Sequence, residues 1–191
     1  MNRVYKIIRV ATVPPLMASL LFVLLGLYNI TAWIDSWLGV LFLAILPILA
    51  YPLQRFIPYF KDKGREGQRN LAIIFAVVGY IVGCTLALIF KAPKAVVLIY
   101  FDYLLSGILI AVFNKFFHLR ASGHACGIVG PIAMLIYFGL YLPAAIGAIM
   151  TVFVFISSIK MKRHTFLQLI GGSTITVSAL LILLIPFELI I

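Results

Sequence analysis

Apolar stretches long enough to cross a bilayer recur from one end of this sequence to the other, and they leave no room between them for a soluble domain. Seven occur, at roughly residues 10–32, 37–54, 71–90, 95–114, 125–141, 143–159 and 167–190. Each approaches the ~20 residues with which an α-helix covers about 30 Å of hydrocarbon. Inside hydrocarbon a chain must satisfy its own backbone N–H and C=O groups, which a helix does within one segment. The expected fold is therefore an all-α integral membrane protein, one transmembrane domain over residues 1–191. It is a helical bundle of about seven spans, with a six-span core as the alternative. Composition agrees, with 64% hydrophobic residues, 10% charged residues and a mean hydropathy of +1.20.

Three of the spans carry signs of irregularity. Pro14-Pro15 should kink the first or delay its start, because proline lacks the N–H that a helix interior needs. The segment after Leu27 has no small-residue cleavage site, so a retained anchor is expected rather than a signal peptide. Pro143 marks a tight connection between the fifth and sixth spans, which share one glycine-containing apolar stretch and are candidates for short or re-entrant segments.

The charges sort by side. With seven spans, thirteen of the fifteen Lys/Arg fall on the side of the N-terminus and the 55–70, 115–124 and 160–164 loops, leaving Lys91 and Lys94 opposite. The positive-inside rule makes the rich side cytoplasmic. Any phosphate site would draw cations to itself and bias this count, but Arg3, Lys6 and Arg9 stand apart from the loops and agree with it. The formal net charge of +10 comes with no basic domain outside the membrane, so anionic lipid rather than nucleic acid is the expected partner. The acidic residues Asp35, Asp62, Glu66, Asp102 and Glu188 are scattered, and Cys84 and Cys126 both lie in apolar runs. Neither a magnesium cluster nor a zinc site is expected, and no cofactor.

Against this background, two short basic segments carry a concentration of polar chemistry. One reads Arg120-Ala121-Ser122-Gly123-His124, the other Lys160-Met161-Lys162-Arg163-His164-Thr165-Phe166-Leu167-Gln168. All three histidines, His118, His124 and His164, lie in or beside them. Imidazole suits nucleophilic and acid–base work near neutral pH, and Lys/Arg hold phosphate. The pattern points to a phosphate site at a membrane edge.

Ordered this way, the motifs resemble the type 2 phosphatidic acid phosphatase superfamily of metal-independent membrane phosphatases, as a diverged member. Ala121-Ser122-Gly123-His124 keeps all of the second motif, Pro-Ser-Gly-His, except its proline. Ser157-Ser158, five residues and His164 follow the third motif, Ser-Arg, five residues, His, with Ser158 in the arginine position. Gln168 occupies the place of the motif's closing Asp, and Gly171-Gly172 follow as in a variant ending of the superfamily. The first motif survives only in the degenerate run Asp62 to Asn70.

The resemblance implies a phosphohydrolase of lipid or isoprenoid phosphates working through a phosphohistidine. His164 would be the nucleophile and His124 the general acid, with Gln168 orienting His164. Ser122 and Gly123, opening a helix, would receive the phosphate where unpaired N–H groups and the helix dipole favour an anion. Arg65 and Arg69, four apart on one helical face with Lys61 a turn back, would clamp it from the first-motif position, and Lys160 or Arg163 would stand in for the arginine missing at Ser158. Each residue also has a structural reading. Ser122 fits an N-cap, Thr165-x-x-Gln168 fits a capping box, and the basic loops fit lipid headgroups. Asp102, inside the fourth span, is read as a structural carboxyl too far from Lys115 to join the site. Three alternatives stay open: a lipid phosphotransferase of the same superfamily, a non-catalytic lipid-phosphate binder and, supported mainly by Asp102, a transporter.

Overall fold

A computed structural model describes residues 3–116 and 120–189 of the chain. Its regular elements are eight helices: α1 (Arg3–Ala11), α2 (Pro14–Leu27), α3 (Trp33–Phe56), α4 (Gly64–Ile89), α5 (Lys94–Phe116), α6 (Gly123–Tyr137), α7 (Tyr141–Lys160) and α8 (Phe166–Leu189). Helices α3, α4, α5, α7 and α8 are each long and apolar enough to cross a membrane, and large hydrophobic side chains such as Ile81, Leu142, Ile149 and Leu181 point outward from them. In water such a surface would drive association, whereas in lipid it is the ordinary solvent face. The chain is a multi-pass, all-helical membrane protein.

Of the three spans with signs of irregularity, two are irregular, and they differ in kind. The first is broken: α1 and α2 meet at a 51° bend directly before Pro14-Pro15, and together they make at most a sixth crossing. The fifth is short. Helix α6 has 15 residues, about 22 Å at 1.5 Å per residue, and falls below a full bilayer crossing. The sixth, α7, is a full-length apolar helix of 20 residues.

Chain contacts divide the molecule into two units, one of residues 1–17 and 101–191, the other of residues 18–100. In the second unit, α3 widens into a π turn over Leu41–Ile45 just before Pro47 and tightens to a 3₁₀ turn at Gln54–Phe56. The wider turn gives room for the proline ring, which would otherwise meet the carbonyl four residues back. Gln54 then closes the approach to α4, its amide donating to the carbonyls of Phe60 and Gly64 at 2.8 and 2.9 Å.

The first unit is organised around α6. Nine of its fifteen residues are buried, including Ile128, Ile132, Met134 and Leu135, so α6 is a core helix sheathed by others rather than a lipid-facing one. It packs chiefly on α8 and α7. A Schellman ending turns α6 into α7: Gly139 has φ +76°, its N–H bonds Ile136 C=O at 3.0 Å, and Leu140 N–H bonds Leu135 C=O at 2.8 Å. The same device ends α7 with Lys162 at φ +53°. Lys162 N–H reaches Ile159 C=O at 2.9 Å and Arg163 N–H reaches Ser158 C=O at 3.0 Å. This reversal delivers Arg163 and His164 beside the start of α6.

Candidate functional site

The second and third basic segments converge in the first unit, and a small set of backbone contacts fixes them. Ser122 N–H donates to the Gln168 carbonyl at 2.9 Å, which ties the chain entering α6 to the first turn of α8. Asn114 on α5 holds the neighbouring residue from the other side, its amide nitrogen donating to Ala121 C=O at 3.2 Å and its oxygen accepting Ala121 N–H. The Ser122 backbone rests on α8 where residue 172 is glycine. A Cβ there would stand 2.2 Å from the Ser122 carbonyl oxygen, so only glycine admits this approach. Gly171 is different, since its Cβ would meet only Ala121 Cβ at 3.8 Å.

Three hydrogen bonds set the tautomer of His164. Gln168 N–H donates to Thr165 Oγ1 at 3.3 Å and Thr165 N–H donates to Gln168 Oε1 at 3.2 Å, a reciprocal capping box at the start of α8. The same Gln168 Oε1 lies 3.3 Å from His164 Nδ1. A backbone N–H can only donate, so the atom it meets is the amide oxygen, and His164 Nδ1 must carry the proton. The Nε2 lone pair is left free. Gln168 therefore fills both the capping and the orienting roles read from its position.

His124 is fixed by a residue outside both segments. Thr12, at the end of α1, gives its single hydroxyl proton to Ile8 C=O at 2.7 Å. Its Oγ1, 3.3 Å from His124 Nε2, is then the acceptor, and Nε2–H is the donor. Burial, with the charges of Arg9 and His164 adding to it, pushes the His124 pKa down to about 4. His164 is also lowered, chiefly by burial; the Gln168 hydrogen bond works against the shift, and Arg9 and Arg163 reinforce it. Both imidazoles are thus neutral near pH 7 in the free protein.

Arg9, like Thr12, is a residue that sequence reasoning missed. Counted only among the topogenic charges, it reaches into the site instead, its Nη1 donating to Ser158 Oγ at 2.5 Å. Ser158 is completely buried. The contact spans 149 positions, so no spacing rule exposes it. The available signal was chemical: an arginine and a threonine one turn apart, directly ahead of Pro14-Pro15. Arg9 is therefore not an unbiased topology marker, and only Arg3 and Lys6 mark the N-terminal side independently of the site.

The other expected site residues divide. Arg163 is exposed and within electrostatic reach of Arg9 and His164. Gly123 is exposed at the N-terminus of α6, with open space where a side chain would be. Ser122 is fully buried, and its Oγ accepts Ala125 N–H at 3.2 Å, so its hydroxyl serves as the helix cap rather than facing a ligand. Lys160 is exposed on the last turn of α7. Arg65 and Arg69 lie exposed on the first turns of α4, in the other unit, while Lys61 precedes that helix and does not share its face. His118 lies outside the described residues.

Asp102 is buried on α5, beside a polar pair in which Ser106 Oγ donates to Thr176 Oγ1 at 3.2 Å. Its Oδ1 has no hydrogen-bond partner among the described residues, and its Oδ2 would lie 3.9 Å from a Cβ at Gly130. Gly130 is six residues along α6 from His124, about 9 Å at 1.5 Å per residue, which keeps the carboxyl below the site. Among the described residues, no carboxylate is one of the groups that shift Arg9, His124 or His164. No protein-family model, curated protein or solved structure matches the chain.

Proposed function

We propose that this chain is a membrane-embedded, metal-independent phosphohydrolase of lipid or isoprenoid phosphates, a diverged member of the type 2 phosphatidic acid phosphatase superfamily. The observation that carries the reading is a pair of neutral histidines with assigned tautomers, set among Arg9 and Arg163, with no carboxylate among the described residues shifting the charged groups. A half-buried Arg9 beside the exposed Arg163 favours an anion, and a phosphate monoester supplies one.

His164 Nε2 attacks phosphorus in this mechanism, forming a P–N bond as the P–O bond to the lipid breaks. The departing oxygen takes a proton from His124. Water then attacks the phosphohistidine, its proton passing to His124 as the P–N bond breaks and phosphate leaves. Because His124 is neutral in the free protein, its working proton arrives with the substrate. Phosphate charge offsets Arg9 and Arg163 and draws the His124 pKa upward. Gln168 keeps Nε2 pointed at phosphorus but adds no charge to the imidazolium, unlike the Asp of the superfamily motif.

The open ground before Gly123 suits a headgroup phosphate, with the hydrocarbon tail remaining among the helices. The site and the N-terminus face the cytoplasm on this reading, as the charge asymmetry of the loops argues. The function is tested by phosphate release from a panel of lipid phosphates by purified protein with chelator present. Release that persists in His164→Ala would sink it.

A further inference from the structure

Resting on the phosphohydrolase reading for its ligand, we infer that Arg9 is the phosphate-binding arginine of this site, carried in by the amphipathic helix α1 to the place that Ser158 leaves unfilled. A guanidinium has five N–H donors in a planar fork. Ser158 Oγ accepts from one nitrogen, at 2.5 Å, and a hydroxyl supplies no charge. Burial first and then Arg163 shift Arg9, both opposing its charge, with no carboxylate among the described residues in support. A half-buried arginine held beside a second arginine and two histidines is electrostatically unfavourable unless an anion completes the cluster. The planar fork then matches two phosphate oxygens at once, which a lysine ammonium cannot do.

Helix α1 is built to make this delivery. Arg3, Lys6 and Arg9 recur every three residues, while Val4, Ile7 and Val10 are 54%, 65% and 59% exposed. That division suits a helix lying in the headgroup layer, with its apolar side toward acyl chains. It packs on α7, the helix that bears Ser158. The 51° bend before Pro14-Pro15 lets α1 run along the surface instead of continuing into the bilayer. Arg3 and Lys6 stay exposed; Arg9, at the inner end, is the one of the three that turns into the protein.

The test uses the full chain in detergent micelles and two readouts: binding of inorganic orthophosphate, and phosphate release from phosphatidic acid. Arg9→Ala should weaken orthophosphate binding by about 10–100-fold, the usual range for loss of charge-assisted hydrogen bonds. Arg3→Ala and Lys6→Ala should change it less than about threefold. Restoring an arginine from the other side, as Arg9→Ala/Ser158→Arg, should recover at least tenfold of the loss. Ser158→Arg alone should weaken binding, because it sets a second guanidinium against Arg9. Unchanged phosphate affinity in Arg9→Ala overturns the inference. Equal losses in all three α1 variants also overturn it, since they would reduce Arg9 to a share of the general positive field, and so does a double variant no better than Arg9→Ala. Phosphate binding that follows the expected pattern, without release from any lipid phosphate, would instead uphold Arg9 and overturn the phosphohydrolase reading.

Discussion

Gly172→Ala should disable the site from a position that touches no substrate. The added Cβ would stand 2.2 Å from the Ser122 carbonyl oxygen, 3.0 Å from its carbonyl carbon and 3.1 Å from its nitrogen. Every one of these is a backbone atom, so no side chain can rotate away. Relief requires the chain at Ser122 to lift from α8 by about 1 Å, which breaks the 2.9 Å bond from Ser122 N–H to the Gln168 carbonyl. Losing that bond costs about 1 kcal/mol and the overpacking about 1–3 kcal/mol more. For a chain of this size the sum corresponds to a fall in melting temperature of about 5–15 °C. His124 lies two residues beyond Ser122, and a displacement near 1 Å of a catalytic group costs about 10²-fold in rate. Thermal unfolding in detergent and phosphate release would be measured side by side for Gly172→Ala and Gly171→Ala. The second is the control, because its Cβ meets only Ala121 Cβ at 3.8 Å. If the two variants behave alike in both assays, the seating of Ser122 on α8 is wrong.

Two other outcomes follow from the same geometry. His124 takes its proton at about pH 4 in the folded protein against an ordinary 6.5, so its contribution to stability is complete above about pH 6.5 and is lost as the pH falls toward 4. Unfolding free energy should fall by about 1–2 kcal/mol between pH 7.5 and pH 5, seen as a lower melting temperature, and His124→Asn should flatten that fall; an equally steep profile in the variant would show that the fold does not hold His124 neutral. Single cysteines at Gln68, Ala92 and Lys162, in a background without Cys84 and Cys126, should be labelled by an impermeant thiol reagent in intact cells only at Ala92, and labelling at Lys162 but not Ala92 would turn the site to the outside.

How much of this was legible in the sequence depends on the range of the interaction. The long helices α3, α4, α5, α7 and α8 could be read directly, because bilayer thickness sets a length that hydropathy reports. Pro14-Pro15 announced the broken first span for an equally local reason. The sequence marked the fifth and sixth spans alike as candidates for short segments but could not tell which one is short, since a helix sheathed by its neighbours is as apolar as one facing lipid. Gln168 could be assigned because Thr165 and His164 lie three and four residues away, within one helical turn. Gly171-Gly172 stood out as a pair, but only the packing tells which glycine matters. Arg9 and Thr12 were invisible for the same reason. Their partners, Ser158 and His124, are 149 and 112 positions away, and a cation ahead of an apolar run is explained well enough by topology alone. Ser122 gave its motif position but not its depth, and full burial makes it a cap.

The most direct measurement is to trap the covalent intermediate. Purified protein would be mixed with a radiolabelled lipid phosphate in the presence of chelator, quenched in alkali, and the labelled peptide sequenced. The expected result is acid-labile, alkali-stable phosphate on His164, absent from His164→Ala and formed more slowly in His124→Ala by about 10²-fold, the usual contribution of a general acid. Phosphate release by a protein that carries no label on His164, or undiminished turnover in His164→Ala, would contradict the account.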